Sequence, residues 1–353
     1  MANGNNNGRL LYQKLRAQLC SEIFHGRYAD GDPIPTERRL ATGFGVSRVT
    51  VRKTLGMLEE EGLLLREQGR GTRFTACKGG FKGDMELIAL VAPADNPFFA
   101  EFMHHFDIAA DKEDSLVLFK HVYAEERQFE DYLLRLYLKD IRDFVLWPYS
   151  REIPPAFLDR LRGLGSNIVI FDRIEQAAAD CVSVDNHHAI RTLYACLAQQ
   201  GMERIGYVGW ADYPVSSTVE RLQAYQDVSP PPAATFSLPW HEEQFNEADV
   251  DALISEVLQS TPPPEGLICG NGNIGIWCAR KLREMGRDDI RVVCVDNLPG
   301  SEELGLTAYE QPHEKMARTV FDRLCAQNRK ADAWKPDTCY VRGNLFVRNW
   351  IRR

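Results

Sequence analysis

The segment PTERRLATGFGVSRVTVRKTLGMLEEEGLLLREQGRGTRFT, residues 35–75, holds two helix patterns separated by a tight reversal and followed by a hairpin pattern. Thr36 is a suitable N-cap for the first helix, and Gly45 permits the sharp turn after it. Ser47 is the N-cap of the second helix, in which apolar residues recur at the spacing that places them on one face. The segment therefore predicts a compact helical unit ending in a short β-hairpin.

The second helix and the hairpin carry the features expected of a DNA-reading surface. Because the apolar residues of this helix face inward, its outward face is polar and basic and consists of Arg48, Thr50, Arg52 and Lys53. Residues 63–67 and 72–75 predict two strands joined through a glycine-rich turn with Arg70 at its tip. A helix of this size fits the major groove, where arginine binds guanine edges through paired hydrogen bonds. This arrangement is a winged helix-turn-helix.

The order of short motifs in this segment resembles the GntR family of winged-helix regulators. The matching pieces are ERRL at 37–40, VSRVTVR at 46–52, EGL at 61–63 and GRGT at 69–72. The resemblance covers about residues 10–75, and Lys14 and Arg16 on the opening helix are expected to face solvent. It implies contacts with double-stranded DNA from Arg38, Ser47, Arg48, Thr50, Arg52, Gln68, Gly69 and Arg70.

Charge separates this N-terminal unit from the rest of the chain. The 353-residue chain carries a net charge of −8, yet residues 1–77 contain 12 Lys and Arg against 8 Asp and Glu. An acidic body limits nonspecific DNA binding, so the small basic unit is expected to supply the affinity, with a steep dependence on salt.

The remainder of the chain has the pattern of a parallel α/β protein. Short apolar runs recur, each followed by a helical or turn-rich segment, at 86–92, 115–121, 143–147, 167–172, 204–209, 266–269 and 290–296. Polar and aromatic residues close these runs, and ligands of such sheets bind beyond the carboxyl ends of the strands. Carboxylates, amides and arginines beside aromatic rings suit a sugar, because hydroxyls form directional hydrogen bonds while the ring packs on an aromatic face.

The same part of the chain resembles the periplasmic-binding-protein-like effector domain of the LacI family. The resemblance begins near Met85 and rests on NPFF at 96–99, IFDR at 170–173, RIGYVG at 204–209, ERLQAY at 220–225, CGN at 269–271, VDN at 295–297 and LTAYEQP at 306–312. It implies two lobes with parallel sheets, and Phe98 and Trp210 bracketing a sugar. The implied effector-binding residues are Asn96, Phe98, Trp147, Asp172, Arg173, Trp210, Arg221, Asn271, Asp296 and Gln311.

These two resemblances define a domain plan. Residues 1–8 are expected to form a disordered tail, residues 9–76 the winged helix-turn-helix, and residues 77–84 a flexible, glycine-rich linker. Residues 85–353 form the effector and dimerisation domain. Its first lobe is expected at about 85–184 and 311–335, and its second at about 186–308 with the C-terminal strand region.

The combination resembles arabinose-repressor-like regulators, which implies a cytoplasmic homodimeric repressor of carbohydrate-utilisation genes. A monosaccharide would release such a repressor from a palindromic operator. The same architecture could sense a sugar phosphate or a nucleoside, although Asp172 and Asp296 would oppose an anion. Release of the DNA, rather than its recruitment, follows only from the resemblance.

An α/β enzyme acting on a small polyol is the rival interpretation. The sequence has no G-x-S-x-G elbow, no phosphate-binding loop and no H-E-x-x-H helix, so no catalytic residue or cofactor is predicted. Its nine cysteines lack CxxC spacing, and the adjacent histidines at 104–105 and 187–188 diverge on a helix, so no metal site is expected. No apolar run is long enough to predict a membrane helix.

Overall fold

A computed structural model of the full chain describes residues 3–67, 69–77, 83–93, 97–121, 126–148, 155–174, 179–213, 215–240, 246–330 and 334–348. The N-terminal unit, here called the head, contains three helices and an antiparallel hairpin. These are α1 (Asn3–Phe24), α2 (Glu37–Phe44), α3 (Arg48–Glu60), β1 (Leu64–Glu67) and β2 (Gly71–Phe74). The winged helix-turn-helix predicted from the sequence is confirmed.

The helix ends in the head follow the local chemistry of the sequence. The side chain of Thr36 accepts a hydrogen bond from Arg39 N, and that of Ser47 accepts one from Thr50 N. Gly45 ends α2 with a φ of 60°, a conformation that favours glycine. The disordered tail predicted at residues 1–8 differs from the structure, in which α1 begins at Asn3. Residues 3–8 contain no proline, so the helix can extend through them.

The body consists of two six-stranded sheets, each in a separate lobe. Lobe 1 has the order β13-β7-β6-β5-β3-β4, with every neighbouring pair parallel. Its strands are β3 (Leu87–Ala92), β4 (Leu116–His121), β5 (Asp143–Leu146), β6 (Asn167–Phe171), β7 (Asp180–Val184) and β13 (Thr338–Val341). Its helices are α4 (Pro97–Asp111), α5 (Glu126–Tyr137), α6 (Pro155–Gly163) and α11 (His313–Lys330).

Lobe 2 has the order β14-β12-β11-β10-β8-β9, in which only β14 is antiparallel to its neighbour among the described strands. Its strands are β8 (Ile205–Trp210), β9 (Thr235–Leu238), β10 (Gly266–Cys269), β11 (Arg291–Val295), β12 (Thr307–Glu310) and β14 (Asn344–Phe346). Its helices are α7 (Asn186–Ala198), α8 (Ser216–Val228), α9 (Glu247–Gln259) and α10 (Gly272–Glu284). The predicted α/β class with parallel sheets is confirmed.

The chain crosses between the lobes after β7, after β12 and between β13 and β14. The last crossing corrects the assignment of the whole C-terminal strand region to lobe 2, because β13 extends the sheet of lobe 1. At this crossing a Cβ on Gly343 would lie 2.0 Å from the Glu310 carbonyl oxygen, so two crossing segments touch at backbone distance. Only glycine permits this approach.

The head is not separated from the body by a free joint. Buried residues of α1, including Leu15, Leu19 and Phe24, belong to one hydrophobic cluster with residues of lobe 1. At the linker, Cys77 N donates to the Gly163 carbonyl at 2.9 Å and Asn328 Nδ2 donates to the Gly83 carbonyl at 2.7 Å. Residues 78–82 lie outside the described residues, so the predicted flexibility remains a prediction for that stretch alone.

Arg16 is a second correction in this region. The sequence pattern predicted a solvent-facing side chain, whereas Arg16 is only 9% exposed and binds two carboxylates. One of these belongs to a residue 124 positions away in the chain, which local periodicity cannot reveal. No described helix is both long and apolar enough to cross a membrane.

Candidate effector cleft and DNA-reading face

A cavity of about 850 Å³ opens between the two lobes beside the crossing segments. Phe98 from α4 lines the lobe 1 side, and Asp296, directly after β11, lines the lobe 2 side. Gln311 and His313 line it from the segment that returns the chain to lobe 1. Of the predicted effector residues, the structure thus places Phe98, Asp296 and Gln311 in the cavity wall.

Asp296 organises the lobe 2 side of the cleft. Its Oδ1 accepts a hydrogen bond from Gln311 Nε2 at 2.5 Å, and its Oδ2 accepts one from Asn271 Nδ2 at 3.3 Å. Asn271 also caps α10, because its Oδ1 accepts from Asn273 N. The backbone of Asp296 has a φ of 74°, an unfavourable conformation for a residue other than glycine. Such strain is common where a side chain must be held at a functional position.

Arg221 is held in lobe 2 by fixed acceptors. It is 5% exposed, and its Nε donates to Asn186 Oδ1 at 2.8 Å while its Nη1 donates to the Gly270 carbonyl at 2.7 Å. Gly270 has no room for a side chain, because a Cβ there would lie 2.3 Å from the Tyr207 hydroxyl. The strand end that carries Asn271 is therefore fitted directly against the guanidinium of Arg221.

Asp172 is the matching carboxylate at the end of β6 in lobe 1. Its Oδ2 accepts a hydrogen bond from Trp147 Nε1 at 3.3 Å, and its backbone φ is 58°. Burial raises the pKa of Asp172 to about 7, and the negative charge of Asp296 adds to this, whereas Arg221 and Trp147 act in the opposite direction. These mutual influences place Asp172 within electrostatic reach of the charges of lobe 2.

Two buried acceptor atoms at this site have no hydrogen-bond partner within the described parts of the chain. They are Oδ1 of Asp172 and Oε1 of Gln311, and Nε2 of His313 is in the same condition. Buried polar atoms are normally paired, so such atoms in a cleft indicate a place for a ligand or for water. The acceptors require a donor, which a hydroxyl group supplies.

Arg173 and Phe98, two further predicted effector residues, each contact a neighbouring part of the site. Arg173 is 1% exposed, its Nη1 donates to the Pro148 carbonyl, and its guanidinium lies 5.5 Å from the centre of the Trp147 ring. It therefore supports the loop that carries Trp147. Phe98 packs edge-on against His313 at 5.0 Å between ring centroids.

Trp210 lies in a half-exposed aromatic cluster at the carboxyl ends of β8 and β9. Its ring is 5.1 Å from Trp240 and 5.9 Å from Trp277, and Tyr213 stacks on Trp240 at 4.3 Å. The predicted bracketing of a sugar by Phe98 and Trp210 stays a prediction, because Trp210 packs among other rings and does not line the cavity described above. Asn96 lies outside the described residues.

Sequence reasoning missed Tyr213, Trp240 and His313 as candidate site residues. Trp240 follows β9, a short strand that begins just after a proline-rich stretch and was not predicted. His313 directly follows Gln311 and Pro312 and begins α11, so the sequence motif could have indicated it as a site residue. Asp185 caps α7, and its Oδ2 accepts a hydrogen bond from Arg342 Nε at 2.9 Å, so it joins the first crossing segment to the last one.

The head presents a basic face that remains exposed. Arg38, Ser47, Arg48, Arg52, Gly69 and Arg70 are exposed, Thr50 is half-buried, and Gln68 lies outside the described residues. Arg52 donates to both carboxylate oxygens of Glu37, at 3.4 and 3.2 Å. The Ser47 hydroxyl is already engaged by Thr50 N and lies 2.9 Å from Thr50 Oγ1, so this residue builds the helix end. Val49 at 77% exposure adds an apolar contact surface to the same face.

The described residues hold no group of three or more His, Cys, Asp or Glu side chains suited to a metal ion. All nine cysteines are free. Those of the lobe 2 core, such as Cys294, are fully buried, and burial raises the pKa of the Cys294 thiol, so they are packing residues.

Comparison with known proteins finds a family for the head and another for much of the body. Residues 11–74 match the family of bacterial regulatory proteins known as the gntR family, and residues 194–349 match the periplasmic binding protein-like domain. The chain is 23% identical over 354 residues to the arabinose metabolism transcriptional repressor of Geobacillus stearothermophilus, covering 96% of each chain.

Solved structures share the fold. The transcriptional regulator CelR in complex with cellobiose has a TM-score of 0.63 at 19% identity, with 90% of this chain and 100% of that chain covered. A periplasmic binding protein/LacI transcriptional regulator of Alkaliphilus metalliredigens in complex with D-xylulofuranose has a TM-score of 0.62 at 17% identity, with 76% and 100% covered. The chain therefore joins a winged helix that matches the gntR family to a periplasmic-binding-protein-like domain, the architecture of a DNA-binding transcriptional regulator, and its family matches and relatives are regulators, not enzymes.

Proposed function

We propose that this protein is a homodimeric repressor of carbohydrate-utilisation genes that a small neutral sugar releases from a palindromic operator. The observation that carries the proposal is a group of polar side chains from both lobes that lie within electrostatic reach of one another, with Asp296 lining the cavity. Asp172 belongs to lobe 1, and Arg221, Asn271 and Asp296 belong to lobe 2. The names of the arabinose repressor and of the cellobiose-bound regulator support this proposal.

The chemistry of the cleft favours a neutral polyol over an anion. The unpartnered acceptors Asp172 Oδ1 and Gln311 Oε1 need donors, which sugar hydroxyls supply and which a fully ionised phosphate does not. The carboxylate of Asp296, and that of Asp172 above its pKa of about 7, would also repel an anion at close range. The ring of Phe98, which lines the cavity, offers an apolar surface for the sugar ring.

Release of DNA follows from linkage between the two sites. A sugar that contacts Asp172 and Asp296 together stabilises the arrangement in which the lobes are closed, whereas the DNA-bound dimer prefers the other arrangement. A coupling free energy of about 1–3 kcal/mol would lower operator affinity by about 5- to 150-fold. The sugar needs only to bind the two states with different affinity.

A dimer supplies the two heads that a palindrome requires, since two recognition helices related by a two-fold axis bind two equivalent half-sites. Strand β4 lies at the edge of the lobe 1 sheet, and its Leu116 is 69% exposed beside Leu118 and Phe119. An exposed apolar edge favours association with a second copy. The free thiols and the DNA target both support a cytoplasmic location.

A thermal-shift screen followed by a gel shift tests the function. The screen compares arabinose, glucose and cellobiose with sugar acids, sugar phosphates and nucleosides, and we expect a neutral sugar to raise the melting temperature. The compound with the largest shift is then titrated into complexes with DNA from upstream of the gene. Stabilisation only by phosphates or nucleosides would replace the sugar in the proposal, and unchanged or tighter DNA binding would contradict release.

A further inference from the structure

The C-terminal part of α1 is buried against lobe 1. Phe24 packs edge-on against Phe157 of α6 at 5.0 Å between ring centroids, and both rings are at most 1% exposed. Leu15, Leu19 and Ile23 belong to the same cluster as lobe 1 residues. The apolar core of the head and that of lobe 1 are thus continuous, and their joint burial stabilises the contact.

Polar contacts at both ends of this interface join the head to lobe 1. Arg16 donates through Nε and Nη2 to the two carboxylate oxygens of Glu61 at 3.0 Å, and through Nη2 to Asp140 Oδ1 at 3.2 Å. Glu61 belongs to the head and Asp140 to lobe 1, so one guanidinium bridges the two. Arg160 Nε donates to the Phe24 carbonyl at the end of α1, where a helix leaves its last carbonyls without internal partners.

The docking site and the effector cleft lie at opposite ends of the same two strands. Asp140 lies three residues before β5, and Leu164, whose carbonyl accepts from the Tyr137 hydroxyl at 3.0 Å, lies three residues before β6. Trp147 follows β5, and Asp172 follows β6. Strands of this length span about 15 Å, and a parallel pair of buried strands is stiff over that distance.

We propose that the head moves as one rigid body with lobe 1, and that the α1–α6 contact carries the effector signal to the recognition helix. When the lobes rotate about the crossing segments, β5 and β6 turn together with the docked head. The separation and tilt of the two heads in a dimer then change with the ligand state. This inference rests on the proposed sugar response and names the contact that transmits it.

The test compares Arg160→Ala with a matched control in the full-length protein. Arg204 lies in lobe 2, and its Nε donates to the Pro263 carbonyl at 3.0 Å, which mirrors the bond from Arg160 to Phe24. Arg204→Ala therefore removes the same kind of bond, together with a surface ion pair to Glu265, far from the head. A second variant, Asp140→Gly, removes the lobe 1 partner of Arg16 and suits the backbone, because Asp140 has a φ of 66°.

Two readouts are measured on each protein. Amide hydrogen exchange of residues 19–27 reports the contact itself and needs neither DNA nor sugar. Gel shifts on the upstream DNA, with and without arabinose, glucose or cellobiose, report the coupling as the ratio of operator Kd values. We expect Arg160→Ala and Asp140→Gly to speed exchange at least about tenfold and to bring the ratio close to one, with Arg204→Ala behaving like the wild type.

The outcomes show separately whether α1 is docked on lobe 1 and whether this docking couples sugar binding to DNA binding. Exchange in the wild type as fast as in Arg160→Ala would overturn the docked head. Faster exchange with an unchanged Kd ratio would show that the contact is structural and would overturn its role in coupling. A wild-type ratio of one with every sugar would overturn both the proposed function and the coupling role, while hydrogen exchange would still decide whether the head is docked.

Discussion

Arginine side chains are held in opposite ways on the DNA-reading face of the head and in the effector cleft. In the head, the Arg52 side chain is 68% exposed, although it pairs with Glu37, and Arg48 is exposed as well. In the cleft, Arg221 is 5% exposed and donates to two fixed acceptors. An exposed cation keeps its hydration until DNA replaces it, whereas a buried cation depends on its protein partners for solvation.

Because of this difference, DNA binding by the head is independent of folding stability, whereas effector binding in the cleft is linked to it. A substitution on the exposed face of the head should change DNA binding with little effect on folding. A substitution in the cleft should change both, because the groups that would bind the effector also satisfy each other in its absence. The variants described next test whether stability and binding change together in the cleft and separately on the head.

The largest effect is expected for Arg221→Ala. The variant leaves Asn186 Oδ1 and the Gly270 carbonyl without their donor and removes the cation that acts on Asp172. Removing one partner from a buried charged network costs about 3–5 kcal/mol, so the melting temperature should fall and the thermal shift with sugar should disappear. Arg204→Ala, at a surface ion pair, is the control. Unchanged stability in Arg221→Ala would mean that the cleft is as solvated as the head.

The second effect is a dependence of stability on pH that originates at Asp172. Its pKa in the folded protein is about 7, above its ordinary value of 3.8, because the carboxyl group is buried. Between those two values the folded protein retains a proton that the unfolded chain has released. The free energy of unfolding should therefore fall as pH rises through this window, by about 1.4 kcal/mol per pH unit, and level off above it.

Asp172→Asn isolates this contribution, because asparagine tolerates a positive φ and carries no titrating proton. The difference in unfolding free energy between wild type and variant should change between about pH 4 and 7. Burial also raises the pKa of Asp143, to about 6, but Asp143 is present in both proteins and cancels in the difference. Parallel stability curves would show that Asp172 is ionised throughout the range.

Local sequence signals predicted the head and the strand ends well, since the features that define them are close in sequence. Thr36 and Ser47 cap helices as expected, and Asp172 and Asp296 follow their strands. Both aspartates also adopt a positive φ, which no pattern of residue types indicated.

The errors arose where the deciding contact was distant in the chain. Arg16 was predicted to be solvent-facing because its helix pattern is local, whereas Asp140 binds it from another domain. The C-terminal strands β13 and β14 are separated by two residues and join different sheets, and the apolar pattern cannot distinguish these sheets. Trp240 was missed because the strand before it has only four residues and follows a proline-rich stretch.

Arg48→Ala should have a smaller effect than the cleft variants, and on DNA binding alone. Its side chain is exposed at the start of α3, so removal leaves no buried group unpaired and should leave the melting temperature unchanged. One arginine contact with a base is worth about 1–3 kcal/mol, which predicts an operator affinity about 5- to 150-fold lower. Lys14→Ala, which removes an exposed charge elsewhere on the head, is the control. Equal losses in both variants would indicate that only total charge matters.

The smallest effect is expected for Glu37→Gln, which tests the same face in the opposite direction. Glu37 holds Arg52 through both carboxylate oxygens and also lies 4.0 Å from Arg66, so its charge competes with DNA phosphates for two cations. Neutralising it should free Arg52 and slightly raise operator affinity, with a steeper dependence of affinity on salt concentration. Gel shifts across a salt series measure both quantities. If affinity fell instead, Glu37 would be positioning Arg52 for DNA, and the head would depend on its internal ion pairs much as the cleft does.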